Sequence, residues 1–101
     1  MIIYKTITEA KKNKIISLPG IYYFKNKINN KYYIGQAINI RKRFYSHIAQ
    51  INKKNDKYPI YKAILKYGID NFEYGILARA NYYENIISLK KSIRQIRNFI
   101  Y

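Results

Sequence analysis

The stretch GIYYFKNKINNKYYIGQA, residues 20–37, consists of two aromatic and β-branched runs around a polar centre. Gly20 to Phe24 and Tyr32 to Ile34 have the composition of strands, and Lys27-Ile28-Asn29-Asn30-Lys31 separates them. Asparagine tolerates the positive φ of a tight turn, so the segment is expected to fold back as a β-hairpin. Two registers satisfy the pattern. A two-residue loop at Asn29-Asn30 pairs Ile28 with Lys31, whereas a four-residue loop from Lys27 to Asn30 pairs Asn26 with Lys31. Either parity puts Tyr22 and Tyr33 on one face of the hairpin. The longer loop makes them diagonal neighbours within aromatic reach. The shorter one leaves them about 13 Å apart along the strand.

Downstream of the hairpin the period changes from strand to helix. Asn39 is a suitable N-cap, and Ile40, Phe44, Ile48 and Ile51 form an apolar stripe for a helix running to about Asn52. Arg43 and His47 stand at i and i+4 on the flank of that stripe, so they share a face. A helix packing its stripe on the hairpin would place both at the sheet edge, in a shallow polar site. Residues 53–57 read as a polar loop. Pro59 suits the first turn of a second helix with inner residues Ile60, Ala63, Ile64 and Tyr67, stopped by Gly68. Phe72 to Ala78 is expected to be a third strand. A final helix from about Tyr83 carries Ile86, Leu89, Ile93, Ile96 and Ile100. Upstream, Ile2 to Ile7 has strand character, and a short helix capped by Thr8, with Glu9 in its first turn, would end before Pro19. The expected fold class is α+β, a small three-stranded antiparallel sheet flanked by helices.

A chain of 101 residues is read as one domain, residues 1–101, with a thin core. Lysine and arginine outnumber acids 20 to 5, a formal charge of +15. Self-repulsion of that size costs stability, which points to a polyanionic partner: nucleic acid first, an anionic membrane surface second. Between Lys11 and Lys66 the single acid is Asp56. The apolar runs are too short for a transmembrane span or signal peptide. Zero cysteines exclude a disulfide frame, a zinc-thiolate site and thiol catalysis, and permit an intracellular setting. Abundant Ile, Lys, Asn and Tyr use AT-rich codons, as in the genome of an organelle, virus or phage with that bias. Against that background the five arginines are less easily ascribed to drift. Lys53, Lys54 and Lys57 are candidate phosphate contacts, and as a bland alternative a solvated loop.

Gly20-Ile21-Tyr22, then Tyr33-Ile34-Gly35, then Arg43 and His47 on the following helix, resembles the GIY-YIG nuclease superfamily. That superfamily includes homing endonucleases, excision-repair nucleases and some restriction enzymes. The resemblance continues through Gln36-Ala37, Asn39 to Phe44, Pro59 to Ile64, Tyr67-Gly68 and Asn71-Phe72, so it covers residues 18–77, with 78–101 diverging. It implies a divalent-metal-dependent endonuclease hydrolysing DNA phosphodiester bonds with Mg²⁺ or Mn²⁺. By analogy Tyr22, or a water bound to it, is the general base, supported by Tyr33. Arg43 would stabilise charge on the phosphate, and His47 would assist proton movement or hold phosphate. A phenol titrates near pH 10, so phenolate needs help from a metal or nearby cations such as Arg41, Lys42 and Arg43. Arg41 and Lys42 would also contact DNA. Gly20 and Gly35 would allow close backbone approach. The family carries a metal-binding glutamate on its third helix; alignment on Ile86 and Leu89 brings Lys90, or a neighbour within one turn, to that position, and Glu84 is the candidate acid instead. The alternative function is therefore a nucleic-acid-binding relative with impaired catalysis.

Overall fold

A computed structural model describes residues 2–79. The order along the chain is β1 (Ile2–Tyr4), α1 (Ile7–Lys11), β2 (Gly20–Asn26), β3 (Tyr32–Ala37), α2 (Ile40–Asn52), α3 (Pro59–Tyr67), a 3₁₀ turn (Ile69–Asn71) and β4 (Phe72–Arg79). The α+β class is as expected, but the antiparallel sheet has four strands, in the order β1-β4-β2-β3. The added strand is the N-terminal one, which pairs Ile2 with Ile76 and Tyr4 with Tyr74. The final helix expected from about Tyr83, and Glu84 with it, lies outside the described residues.

The hairpin adopts the four-residue loop. Lys25 pairs with Tyr32, Phe24 with Tyr33 and Tyr22 with Gly35, and the Asn26 amide donates to the Lys31 carbonyl at 2.9 Å. Asn30 takes φ 61°, the left-handed conformation that asparagine accepts at small cost. Its amide closes the turn on the Asn26 carbonyl at 2.8 Å. The Asn26 side-chain oxygen takes the Ile28 amide at 2.9 Å.

Both long helices begin and end where the sequence places them. The Asn39 side chain accepts from the Lys42 amide at the start of α2. Pro59 opens α3, and Gly68, at φ 91°, closes it. The short helix α1 differs: its cap is Thr6, whose hydroxyl accepts from the Glu9 amide, while the Glu9 carboxylate accepts from the Lys5 amide. Thr6 and Glu9 have the spacing of a capping box.

One face of the sheet carries the main core. Tyr22, Phe24, Tyr33, Phe72, Tyr74 and Ile76 project from the strands and meet Ile7 and Ala10 of α1, Ile40, Phe44 and Ile48 of α2, and Ile60 and Ile64 of α3. The opposite face holds a smaller cluster of Ile21, Tyr23 and Ile34 with Tyr32 against it. There the Tyr23 hydroxyl donates to the Glu73 carboxylate, and burial together with that carboxylate pushes the phenol pKa well up. Strand β4 is bulged beside Tyr22: Tyr22 pairs with Ile76 and Ile21 with Ala78, leaving Leu77 as the extra residue. Bulges of this kind redirect a strand and re-aim its side chains.

Candidate active site

Tyr22 sits on β2, in the middle of the sheet, and Gly35 faces it from β3. A Cβ built on Gly35 would fall on the hydroxyl end of the Tyr22 ring. The second glycine of the motif thus has a specific reason: any side chain there would displace the tyrosine. The close approach expected of Gly35 is the approach of a phenol ring to its backbone. Gly20 is buried and pairs with Ala37.

The Tyr22 hydroxyl is 2.7 Å from His47 Nε2. The other ring nitrogen, Nδ1, is 2.8 Å from the hydroxyl of Tyr61 on α3. Three side chains from three elements therefore form one buried hydrogen-bonded line, with Tyr22 and His47 only 1% and 3% exposed. The site expected at the sheet edge is shallow and polar, and for His47 the structure corrects this. Helix α2 lays the imidazole edge-on against Tyr22 and Phe24, and Tyr61 lies against it from α3. Burial, and then the positive charge of Arg43, lower its pKa to about 4, so the ring is neutral near pH 7. A neutral imidazole has one donor and one acceptor nitrogen, which suits two phenols that can each play either part.

Arg43, one turn earlier on α2, is exposed. It lines a cleft of about 250 Å³ with His47, Tyr58 and Tyr61. On its other side it lines a second hollow with Ala37, Ile38, Asn39, Lys42 and Ser46 at the start of α2. Tyr33 shares the helix-facing side of the sheet with Tyr22, two pairs along, opposite Phe24. Its pKa is raised, by burial first and then by Tyr67, and Lys31 lies over its ring. Tyr22, Arg43 and His47 are thus brought to one place, with Tyr33 beside them.

The other candidates are dispersed. Arg41 points its Nε at the Ile15 carbonyl, 2.6 Å away, and so ties the segment before β2 to α2. Lys53, Lys54 and Lys57 are all exposed on the loop between α2 and α3. Lys54 there takes φ 55°, and Lys57 donates its amide to the Asn55 side chain. Tyr61 is not among the candidates read from the sequence, and its bond to His47 comes only with the structure. The available signal is a tyrosine next to an apolar helix stripe, since buried phenols generally find a polar partner.

Magnesium and manganese favour oxygen ligands, carboxylates above all. The cleft offers two phenols, an imidazole and a guanidinium. Among the described residues no three His, Cys, Asp or Glu side chains gather to hold a metal. The described part of the site does not by itself fit such an ion. No helix among the described residues is long and apolar enough to cross a membrane.

The sequence model of the GIY-YIG catalytic domain matches residues 18–95. This chain belongs to the GIY-YIG family. A probable intron-encoded endonuclease of Neurospora crassa is 41% identical over 71 residues, which is 70% of this chain and 22% of that protein. The chain thus spans about a fifth of the length of that curated relative. The catalytic domain of the homing endonuclease I-TevI superimposes with a TM-score of 0.62 at 28% identity, over 81% of this chain and 96% of that one. A point-mutant form of the same catalytic domain gives 0.61 at 29% identity, over 80% and 82%. The GIY-YIG match begins at residue 18, so β1 and α1 lie before the matched residues.

Proposed function

We propose that this chain is a DNA endonuclease that hydrolyses phosphodiester bonds at the cleft beside Tyr22. The observation that carries the reading is the 2.7 Å contact between the Tyr22 hydroxyl and His47, with Arg43 lining the cleft on the same helix. Tyr22 takes the proton of the attacking water. Exposed Arg43 reaches a non-bridging phosphate oxygen, where a guanidinium stabilises the charge that grows during attack. Burial and neutrality favour a proton-handling part for His47 over phosphate binding. Tyr33 supports Tyr22 from the neighbouring strand. The formal charge of +15 supplies the attraction for DNA, with Lys42, Lys53, Lys54 and Lys57 as candidate phosphate contacts.

We further propose that cutting depends on Mg²⁺ or Mn²⁺, with Glu84 as the candidate ligand. The test is cleavage of plasmid DNA with and without each metal. Tyr22→Phe and Arg43→Ala are each expected to abolish cutting while DNA retention persists. Metal-dependent cutting that survives both substitutions would sink the assignment.

A second reading is a nucleic-acid-binding relative that no longer cuts. It is favoured by the cleft's lack of a carboxylate among the described residues and by Lys90 at the position expected of the glutamate. Calorimetric titration with Mn²⁺ separates the two, because stoichiometric binding counts against the impaired form.

A further inference from the structure

We propose that Tyr58 is a stacking platform for an unpaired nucleobase beside the phosphate at Arg43, so that the cleft takes DNA with one nucleotide out of the duplex. Such a role rests on the reading of Arg43 as the residue that reaches the phosphate.

Tyrosine is a poor residue for the place that Tyr58 occupies. It is the N-cap of α3, where serine, threonine, aspartate or asparagine would offer a side-chain oxygen to the first amides. The phenol makes no such bond. Only the backbone is engaged: the Tyr58 carbonyl accepts the amides of Tyr61 and Lys62, each at 3.1 Å. Pro59 restricts the residue before it to extended backbone, and Tyr58 stands at φ −113°, ψ 148°. The chain thus fixes this side chain at a point where helix stability favours another one. Departures of that kind from local preference are expected at functional sites.

The ring is not absorbed by the core. Tyr58 is 52% exposed and rests against Tyr61, with ring centroids 5.8 Å apart and planes at 77°. An edge-to-face contact covers at most one face of a ring. Tyr61 is itself held by the bond between its hydroxyl and His47 Nδ1, so Tyr58 leans on an anchored support. Arg43 lines the same cleft. Sites for unpaired nucleotides combine these two features, a cation for the phosphate and an aromatic face for the base. The cleft holds about 250 Å³, less than the roughly 300–1,000 Å³ of a drug-sized pocket. That is room for one base and not for a duplex. A base inside a duplex is stacked on its neighbours, so only an unpaired or extruded one can reach the ring. Tyr45 is the contrast: it is 50% exposed, but it lines neither hollow beside Arg43.

Fluorescence anisotropy with two labelled DNA probes tests the platform, with divalent metal withheld. One probe is a fully paired duplex, and the other is the same duplex carrying one unpaired nucleotide. The unmodified protein is expected to bind the second about fivefold more tightly or better, the range of one base–aromatic stack. Tyr58→Phe is expected to keep this preference. Tyr58→Ser is expected to lose it, while its melting temperature holds or rises because serine is the better cap. Tyr45→Ala should keep the preference. No preference in the unmodified protein, or one retained by Tyr58→Ser, overturns the platform. Plasmid cutting decides the nuclease reading separately. A Tyr58-dependent preference without cutting leaves the platform and removes the hydrolysis, and cutting without a preference does the reverse.

Discussion

The ring of Tyr22 occupies the space in which a side chain on Gly35 would begin. The two residues are direct partners across the hairpin, so the glycine of one motif is a consequence of the tyrosine of the other. Gly35→Ala is expected to cost about 1–3 kcal/mol, the usual range for an overpacked core. Urea unfolding measures it. In a Tyr22→Ala background the same methyl is expected to be nearly neutral, and a methyl that costs as much with the ring gone would disprove the pairing.

His47 makes stability depend on pH. Its folded pKa is about 4 against an ordinary 6.5, so the unfolded chain binds more protons between those values. The stabilisation is complete above pH 6.5 and is lost as pH falls from there towards 4. Among the described residues, the groups facing the ring include Tyr22 and Phe24 from β2, Arg43 on its own helix, and Tyr61 from α3. The shift corresponds to roughly 3 kcal/mol, given about 1.4 kcal/mol per pKa unit. Thermal unfolding of the wild type and His47→Asn across this window checks it, since the substituted protein should have a flatter profile.

Arg41 is expected to act on stability rather than on DNA. Its Nε bond to the carbonyl of buried Ile15 is a charge-assisted contact, so Arg41→Ala should cost about 1–3 kcal/mol. The salt dependence of DNA retention should stay as it was. A shallower salt slope without loss of stability would return Arg41 to the phosphate contacts.

The loop lysines make the opposite prediction. Lys53, Lys54 and Lys57 are exposed, and replacing all three with alanine should leave the melting temperature nearly unchanged. Each phosphate that the substituted loop no longer neutralises should reduce the slope of log K against log salt by roughly 0.9 in magnitude on duplex DNA. Filter binding over a range of salt concentrations measures this, and an unchanged slope would leave the loop merely solvated.

Local chemistry was readable in this chain, and long-range contacts were not. Asn39, Pro59 and Gly68 each act through their own backbone neighbourhood, and the helices they bound lie where their residue types require. The hairpin was legible too, but its register was settled by Asn30 adopting the left-handed conformation, which the pair Asn29-Asn30 alone does not dictate. The pairing of β1 with β4 joins residues seventy or more positions apart, and a three-residue strand carries no mark of its partner. The contact of Tyr22 with His47 could be suspected from spacing. The burial of His47 depends on α3 arriving from a different part of the sequence, as does its bond to Tyr61.

Strand β2 is hydrogen-bonded on both sides, between β3 and β4. The amide of Tyr22 is therefore expected to exchange its hydrogen through global opening, among the slowest in the chain, while the loop around Lys54 exchanges early. The residue proposed to activate water stands on the part of the molecule that yields last, and the lysines proposed to hold DNA on a part free to adjust.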